Sequence, residues 1–480
     1  MNHPSKARAV QIAAAAATGV LLRFAIGLDP VWWLVWVAPV PLLLLAFRLG
    51  KQDARWTVGI AAIVGVSVNF HYFRLVMPLP AVISVLVLQA WLWVFVVLAT
   101  RRVVVHYQAW WTAFVYPVLW VATDTLMAAL LPDGNWGSLA YSQSDVLPTL
   151  QIVSLLGVAG LLFLITLVPS SLALAIAYGR GLRRGWIAYG ATLLLLAASI
   201  AYGVARLQRP AEGRETAFGL VAVDDPIGLQ ATASYASSIL QQYDRRVASL
   251  ATQGALIIVL PEKMGVLTPA SARQWQGHLS GLAGQARVWL EAGVGIDDGK
   301  SRVNVAWLFT PEGELAASYQ KHHMAPGERL EQYRPGNDYI VHTIEGQTYG
   351  LAICKDMHFA AFGRAYGNRE AAVMLVPAWD YGYWDAWLEA RTTVMRGVEN
   401  GYAVVRSSRE GLLTVSDAYG HIVAERKSGA MPGSSLLAKM NVHARVPTLY
   451  ARLGNLFGWM CVAAAGVFLL LGRRTAAGAI

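Results

Sequence analysis

The sequence predicts two unlike parts in one chain, a multi-span α-helical membrane domain and an α/β domain. Three observations carry this. Apolar stretches of bilayer-crossing length fill the first 204 residues, and the Lys and Arg between them fall in alternate loops. From about residue 214 to 445 the chain switches to short apolar runs alternating with helix-like segments. Over all 480 residues 56% are hydrophobic and only 14% are charged, against about 25% charged in an ordinary soluble domain. With two cysteines, this excludes a disordered tail protein, a disulfide-rich secreted domain and a plain soluble enzyme.

Seven apolar stretches lie at roughly 9–28, 31–47, 56–73, 81–100, 110–130, 149–178 and 186–204, and an eighth covers 454–472. Each is near the ~20 residues that span ~30 Å of hydrocarbon as a helix. Buried helices of a soluble core would show a polar face, and VLVLQAWLWVFVVLA shows none. The first stretch follows Lys6 and Arg8 and reads as an uncleaved signal anchor, because more spans come close behind. Arg23 and Asp124 fall within spans, where a charge is costly and marks a functional candidate; they are a possible pair, and Arg23, near a span end, is also placed to snorkel.

The net charge of +10 raises nucleic acid as a partner, and its location removes it. Residues 1–204 carry 12 Lys and Arg against five Asp and Glu, and Arg473 with Arg474 close the chain's last span, whereas 205–472 is nearly neutral. Lys6, Arg8, Arg48, Lys51, Arg55, Arg101, Arg102, Arg180, Arg183, Arg184, Arg473 and Arg474 all fall on one side if every stretch crosses. The opposite loops hold Arg74 alone, and 131–148 has no Lys or Arg. The positive-inside rule then sets both termini in the cytoplasm and the large segment outside it. The expected organisation is a seven-span arm over 1–204, a linker over 205–213, an extracytoplasmic catalytic domain over 214–445, and a C-terminal span with a cytoplasmic tail over 446–480.

In the α/β segment the strand-like runs are AFGLVAV (217–223), ALIIVLP (255–261), YGLAIC (349–354), AAVMLVPAW (371–379) and GYAVVRSS (401–408). Helix-like stretches are Tyr235–Gln253, Ser271–Leu290 and Asp385–Asn400. Continuous apolar strands separated by helices point to sheets covered by helices. No phosphate loop, zinc spacing or repeat stands out, and the adjacent His322 and His323 do not face one metal as residues a helical turn apart would. The segment's single cysteine, Cys354, sits where an apolar strand ends and a polar run begins (IC-KDMHF), which is where α/β folds display nucleophiles. A thiol needs a base or positive neighbours to react as thiolate. Glu262, after ALIIVLP, and Lys321, after ELAASYQ, supply candidates.

Strand-PE, K-x-H-x-x-P-x-G-E and strand-C, in this order, resemble the nitrilase superfamily of carbon-nitrogen hydrolases. The resemblance implies an αββα sandwich with Glu262 as base, Lys321 as cationic stabiliser and Cys354 as nucleophile, and no metal or cofactor. Asn304 in RVNVAW and the RGVEN segment (Arg396 to Asn400) match as well. Seven spans before such a domain and one after resemble the layout of the apolipoprotein N-acyltransferase family, and PVLWVATD…GNWGSLAYSQSDVLPTL resembles that family's span-loop-span region. That implies a cell inner (cytoplasmic) membrane protein moving an acyl chain from phospholipid, through a Cys354 thioester, to the N-terminal amine of the diacylglyceryl cysteine of lipoproteins. Its partners are then the bilayer, the phospholipid donor and the lipoprotein N-terminus. The alternative is a membrane-tethered nitrilase-type amidase, or a divergent N-acyltransferase with a different amine acceptor. A non-enzymatic binding or transport protein has no reason to keep Glu262, Lys321 and Cys354 together.

The chain departs from the family pattern in four places. C-Y-E becomes Cys354-Lys355-Asp356, with Asp356 in the glutamate's place and the Lys355 cation where an aromatic is expected. The lysine motif is one residue shorter between Pro326 and Glu328, the residue that matches the family's lysine-orienting acid. N-N-G becomes Arg409-Glu410-Gly411, and the first strand ends Val223-Asp224-Asp225 where a Gln is usual. Candidate substrate-lining aromatics are Trp136 and Tyr141 in the arm and Trp379, Tyr381 and Trp384 in the domain; the same residues equally suit an interfacial anchor.

Overall fold

The computed structural model describes residues 4–208 and 213–477. Positions 209–212 of the expected linker and the last three residues of the expected tail lie outside the described residues. The chain divides into two compact units, Met1–Leu207 with Leu453–Ile480, and Gln208–Arg452.

The first unit is helical. Among the described residues, seven helices are long and apolar enough to cross a membrane: Arg8–Ala25, Lys51–Val76, Leu79–Tyr107, Trp110–Leu130, Val153–Tyr178, Gly185–Leu207 and Leu456–Arg473. The chain is thus an integral membrane protein by length and composition of its helices. The stretch expected to span at 31–47 differs: its apolar helix, Leu34–Arg48, is short, and a 3-10 turn at Leu34–Trp36 precedes the α-helix Pro39–Arg48. Prolines at 39 and 41 set the helix start, where a missing N–H costs nothing. Fifteen residues rise only ~22 Å. Even so, the segment has two distinct ends. Trp36 Nε1 donates to Gln143 Oε1 at 3.0 Å and Gln143 Nε2 donates to the Trp32 carbonyl at 2.7 Å. At the other end Arg101 donates to the carbonyls of Ala46 (2.7 Å) and Leu49 (2.8 Å), and Arg48 to that of Ile176 (2.9 Å). Arg23 donates to Ser67 Oγ at 2.9 Å, and Asp124 accepts from Asn135 Nδ2 at 2.7 Å, so each of these intraspan charges has its own polar neighbour.

The second unit is an αββα sandwich. Its strands are β1 (Arg214–Ala222), β2 (Ile257–Val259), β3 (Val266–Leu267), β4 (Trp289–Asp297), β5 (Arg302–Phe309), β6 (Leu315–Gln320), β7 (Val341–Ile344), β8 (Gln347–Leu351), β9 (Val373–Trp379), β10 (Ala403–Arg409), β11 (Leu412–Ser416), β12 (Ile422–Lys427) and β13 (Ser434–Val442). One sheet runs β13-β1-β2-β4-β5-β6 with β3 beside β4, and the other runs β12-β11-β10-β9-β8-β7. Strand alternation sorts the side chains into layers. Phe218, Leu220 and Ala222 of β1 enter the core shared with Val373 and Leu375 of the second sheet. Val221 turns the other way, to Ile239, Tyr243 and Leu279 on the helices Ala233–Thr252 and Pro269–Ala286. Burial on both faces explains why these strands read as unbroken apolar runs. The helix expected to reach Leu290 stops at Ala286, and Trp289–Leu290 open β4 instead.

Candidate active site

The ends of three strands and the loops after them bring the titratable residues together. β2 is followed by Leu260, Pro261 and Glu262; the Glu262 N–H donates to the Ala378 carbonyl at 3.1 Å, tying the first sheet to β9 of the second. Gly293 of β4 lies against this turn. A Cβ there would stand 2.6 Å from the Pro261 oxygen and 2.7 Å from Glu262 Cα, so only glycine allows the turn to sit so close. β6 ends at Gln320, and the Lys321 N–H donates to the Asn304 carbonyl on β5 at 2.9 Å. β8 runs out through Ala352 and Ile353 into a 3-10 turn, Cys354–His358.

Cys354 stands at φ +46°, a left-handed conformation that costs a non-glycine residue of order 1 kcal/mol and clusters at functional sites. Its Sγ–H points to the Trp379 carbonyl at 3.6 Å. Asp356 supports the turn from below. Its Oδ2 accepts from Ile353 N (3.1 Å) and Tyr319 OH (2.7 Å), and its Oδ1 from His322 N (3.1 Å) and His323 N (2.8 Å). The shorter acid at this departure position thus ties the cysteine turn to the loop that carries Lys321. Lys355 is buried.

Lys321 Nζ lies 2.7 Å from Glu262 Oε1 and 2.8 Å from Glu328 Oε2. Asn304 Nδ2 bridges the two acids, at 2.6 Å from Glu262 Oε1 and 2.7 Å from Glu328 Oε1. Glu328 reaches this place despite the shortened motif because it occupies the first turn of the helix Pro326–Leu330, where its Oε2 also accepts from Ala325 N at 2.9 Å. All four side chains are buried.

Burial fixes the protonation states. It pulls the Lys321 ammonium down, but Glu262 and Glu328 pull harder, and the group ends well above the ordinary lysine range. Glu328 is pushed up by burial and brought far below the usual carboxylate range by Lys321 and Lys263. The Cys354 thiol is raised well above its ordinary value, by burial first and then by the Glu262 charge, with Lys321 pulling back. Burial therefore holds the Cys354 thiol towards its neutral form.

Of the expected lining aromatics, Trp379 and Tyr381 stack with ring centroids 5.9 Å apart, and Lys321 acts on the Tyr381 phenol, which burial raises. Trp384 is 55% exposed. Trp136 and Tyr141 belong to the helical unit, where Trp136 stacks on Tyr72 at 5.3 Å and Tyr141 is buried. The departures at 224 and 409–411 meet each other: Asp224 accepts from the Glu410 N–H at 2.6 Å and from the Tyr383 hydroxyl, and Arg409 lies 3.8 Å over the Trp379 ring. Two buried pairs escape sequence reasoning, Arg406 with Asp380 and His358 with Glu389. Arg406 carries a signal, a lone cation inside the apolar run GYAVVRSS.

An acid, an ammonium and a thiol at strand ends of an αββα sandwich define the class: a carbon-nitrogen hydrolase fold, in a chain that also carries membrane-length helices. The carbon-nitrogen hydrolase model matches residues 222–441, and the apolipoprotein N-acyltransferase N-terminal domain model matches residues 18–171. One match falls in each of the two units, and the chain is similar to apolipoprotein N-acyltransferases along nearly its whole length. It is 27% identical to an apolipoprotein N-acyltransferase of Geobacter metallireducens, over 96% of this chain and 95% of that one. It is 22% identical to one of Nitrosomonas europaea, over 91% and 93%. An amidase crystal structure from Nesterenkonia sp. is 22% identical, covering 48% of this chain and 92% of its own with a TM-score of 0.41.

Proposed function

We propose that the protein transfers an acyl chain from a phospholipid, through a thioester on Cys354, to the N-terminal amine of the diacylglyceryl cysteine of a lipoprotein. The observation that carries this reading is the meeting of Glu262, Lys321 and the strained Cys354 turn in one buried site, in a chain with membrane-length helices. Glu262 takes the proton from Cys354 Sγ as sulfur attacks the ester carbonyl. The negative charge passes to the carbonyl oxygen, which Lys321 stabilises. Collapse breaks the ester C–O bond, and the lysophospholipid oxygen leaves with the proton from Glu262. The lipoprotein amine then attacks the thioester and gives a proton to Glu262; the C–S bond breaks, and that proton returns to sulfur.

Mass spectrometry of the protein incubated with phospholipid tests this. The expected result is an acyl adduct on Cys354, absent from Cys354→Ala and cleared by a lipopeptide with a free N-terminal cysteine amine. An adduct cleared only by water makes the protein a hydrolase, and an active Cys354→Ala variant removes the triad.

The proposed location is the cell inner membrane, with the α/β unit on its outer side. This orientation requires the short Leu34–Arg48 segment to cross. Its ends support that: one lies with Gln143, in the loop without Lys or Arg, and the other with Arg101 among the basic loops. A helix a few ångströms short is accommodated by local thinning of the bilayer. Cysteine labelling that places residues 214–445 in the cytoplasm would overturn it.

A further inference from the structure

The site holds a second buried lysine, Lys263. Lys263 directly follows Glu262, and in an extended strand end neighbouring side chains point to opposite faces. Lys263 has φ +46°, which breaks that alternation and turns both side chains into one cluster. Glu262 Oε1 takes Asn304 and Lys321, while Lys263 Nζ lies 3.0 Å from Glu328 Oε1. The same ammonium stands 4.9 Å from the Tyr333 ring centroid and 5.0 Å from that of Trp379, the residue whose carbonyl faces the Cys354 thiol. Lys263 is 6% exposed.

The charge balance gives this placement its meaning. Glu262 and Glu328 are answered by Lys321 and Lys263, two carboxylates by two ammoniums. Arg409 adds a cation over the Trp379 ring and Arg406 pairs with Asp380, but Lys263 and Lys321 are the ammoniums in contact with Glu328, so without Lys263 the Glu262–Glu328 pair keeps one contacting ammonium. A buried negative excess raises the pKa of any acid within it and opposes further negative charge.

We propose that Lys263 is a positioning residue for acyl transfer: it holds Glu328 and balances the carboxylate pair, so that Glu262 stays ionised as base and Lys321 serves the charge that develops at Cys354. The Lys263–Trp379 contact also holds the strand end that faces the thiol. This inference rests on the Glu262–Lys321–Cys354 reading, and the test separates the two.

The test is the pH dependence of acyl-adduct formation on Cys354 for the parent chain, Lys263→Met and Lys263→Arg, with Cys354→Ala as control. In Lys263→Met the acidic limb moves up by about one pH unit, a rate about tenfold lower on that limb. Lys263→Arg, which keeps the cation, follows the parent. Superimposed limbs for the parent and Lys263→Met overturn the proposal, and so do equal shifts in the Met and Arg variants. Where Lys263→Met forms no adduct, iodoacetamide alkylation of Cys354, read by peptide mass spectrometry, decides in the same way. A raised midpoint in Met but not Arg supports it, and coincident midpoints overturn it. Lys263→Gln replaces Lys263→Met if the latter does not fold. Substrate acylation by Cys354→Ala at the parent rate sinks the triad itself, independently of Lys263.

Discussion

Two regions of the first sheet bury a glutamate, and they treat it in opposite ways. Glu262 lies past the end of β2, and Glu291 lies inside β4, whose own carbonyl accepts the Leu260 N–H at 2.8 Å. Glu262 has an ammonium at 2.7 Å and an amide at 2.6 Å. Glu291 is fully buried, neither carboxyl oxygen has a hydrogen-bond partner, and burial raises its pKa well above the ordinary value. The register explains the contrast. Glu291 sits opposite Val259 on β2 and Leu308 on β5, both apolar and both part of the core between the sheets. Past the strand ends, loops bring Lys321 and Lys263 within reach of the carboxylates, and Asn304 joins them from β5. The core between the sheets offers Glu291 no such partner, so burial holds its carboxyl towards the protonated form, while Glu262 keeps its ammonium and amide contacts.

Removing the cation from the charged region is the strongest way to break the contrast. Lys321→Met leaves Glu262 and Glu328 buried 2.6 and 2.7 Å from one amide nitrogen, with Lys263 as the remaining ammonium. Breaking a buried pair from one side costs about 3–5 kcal/mol, and losing the oxyanion's stabiliser costs roughly 10³-fold in rate. Adduct formation on Cys354 and thermal melting measure the two losses. A variant that keeps its rate within tenfold shows that Lys321 is not the group that answers the developing charge.

The same contrast explains what the sequence makes legible. Glu262 and Cys354 each close an apolar run and Lys321 follows the strand-like ELAASYQ, so a change of pattern marks all three. The αββα layers are equally plain in ALIIVLP and AAVMLVPAW, whose burial on both faces leaves no polar alternation. β4 is hidden because WLEAGVGID carries two acids and two glycines, and its first residues extend the helical pattern before it. The glycines follow from close packing, as at Gly293 under Glu262. Lys263 is hidden for another reason: its role depends on a left-handed φ, and no local pattern announces that. In the arm, Leu34–Arg48 reads as a span by composition, but Pro39 and Pro41 fix the start of its α-helix, which runs only from Pro39 to Arg48.

Glu291 sharpens the comparison from the other side, with a smaller effect of opposite sign. Glu291→Met keeps a similar volume and removes a polar group that nothing satisfies, which below pH 4.5 stabilises the α/β unit by about 1–3 kcal/mol. The gain depends on pH. The folded pKa of Glu291 lies well above its unfolded value of 4.5. Below pH 4.5 both states hold the proton, and the parent bears only the cost of a buried neutral carboxyl. As pH rises above 4.5 the unfolded chain ionises and the folded one does not, so the parent loses roughly 1.4 kcal/mol per pH unit until the folded pKa is reached. The methionine chain has no such loss. The melting-temperature difference between variant and parent is therefore larger at pH 7.5 than at pH 5.5, with the variant higher at both. An equal difference at the two values means that Glu291 is ionised in the folded protein and has found a cation or water, and the division between the sheet's interior and its edge fails at that residue.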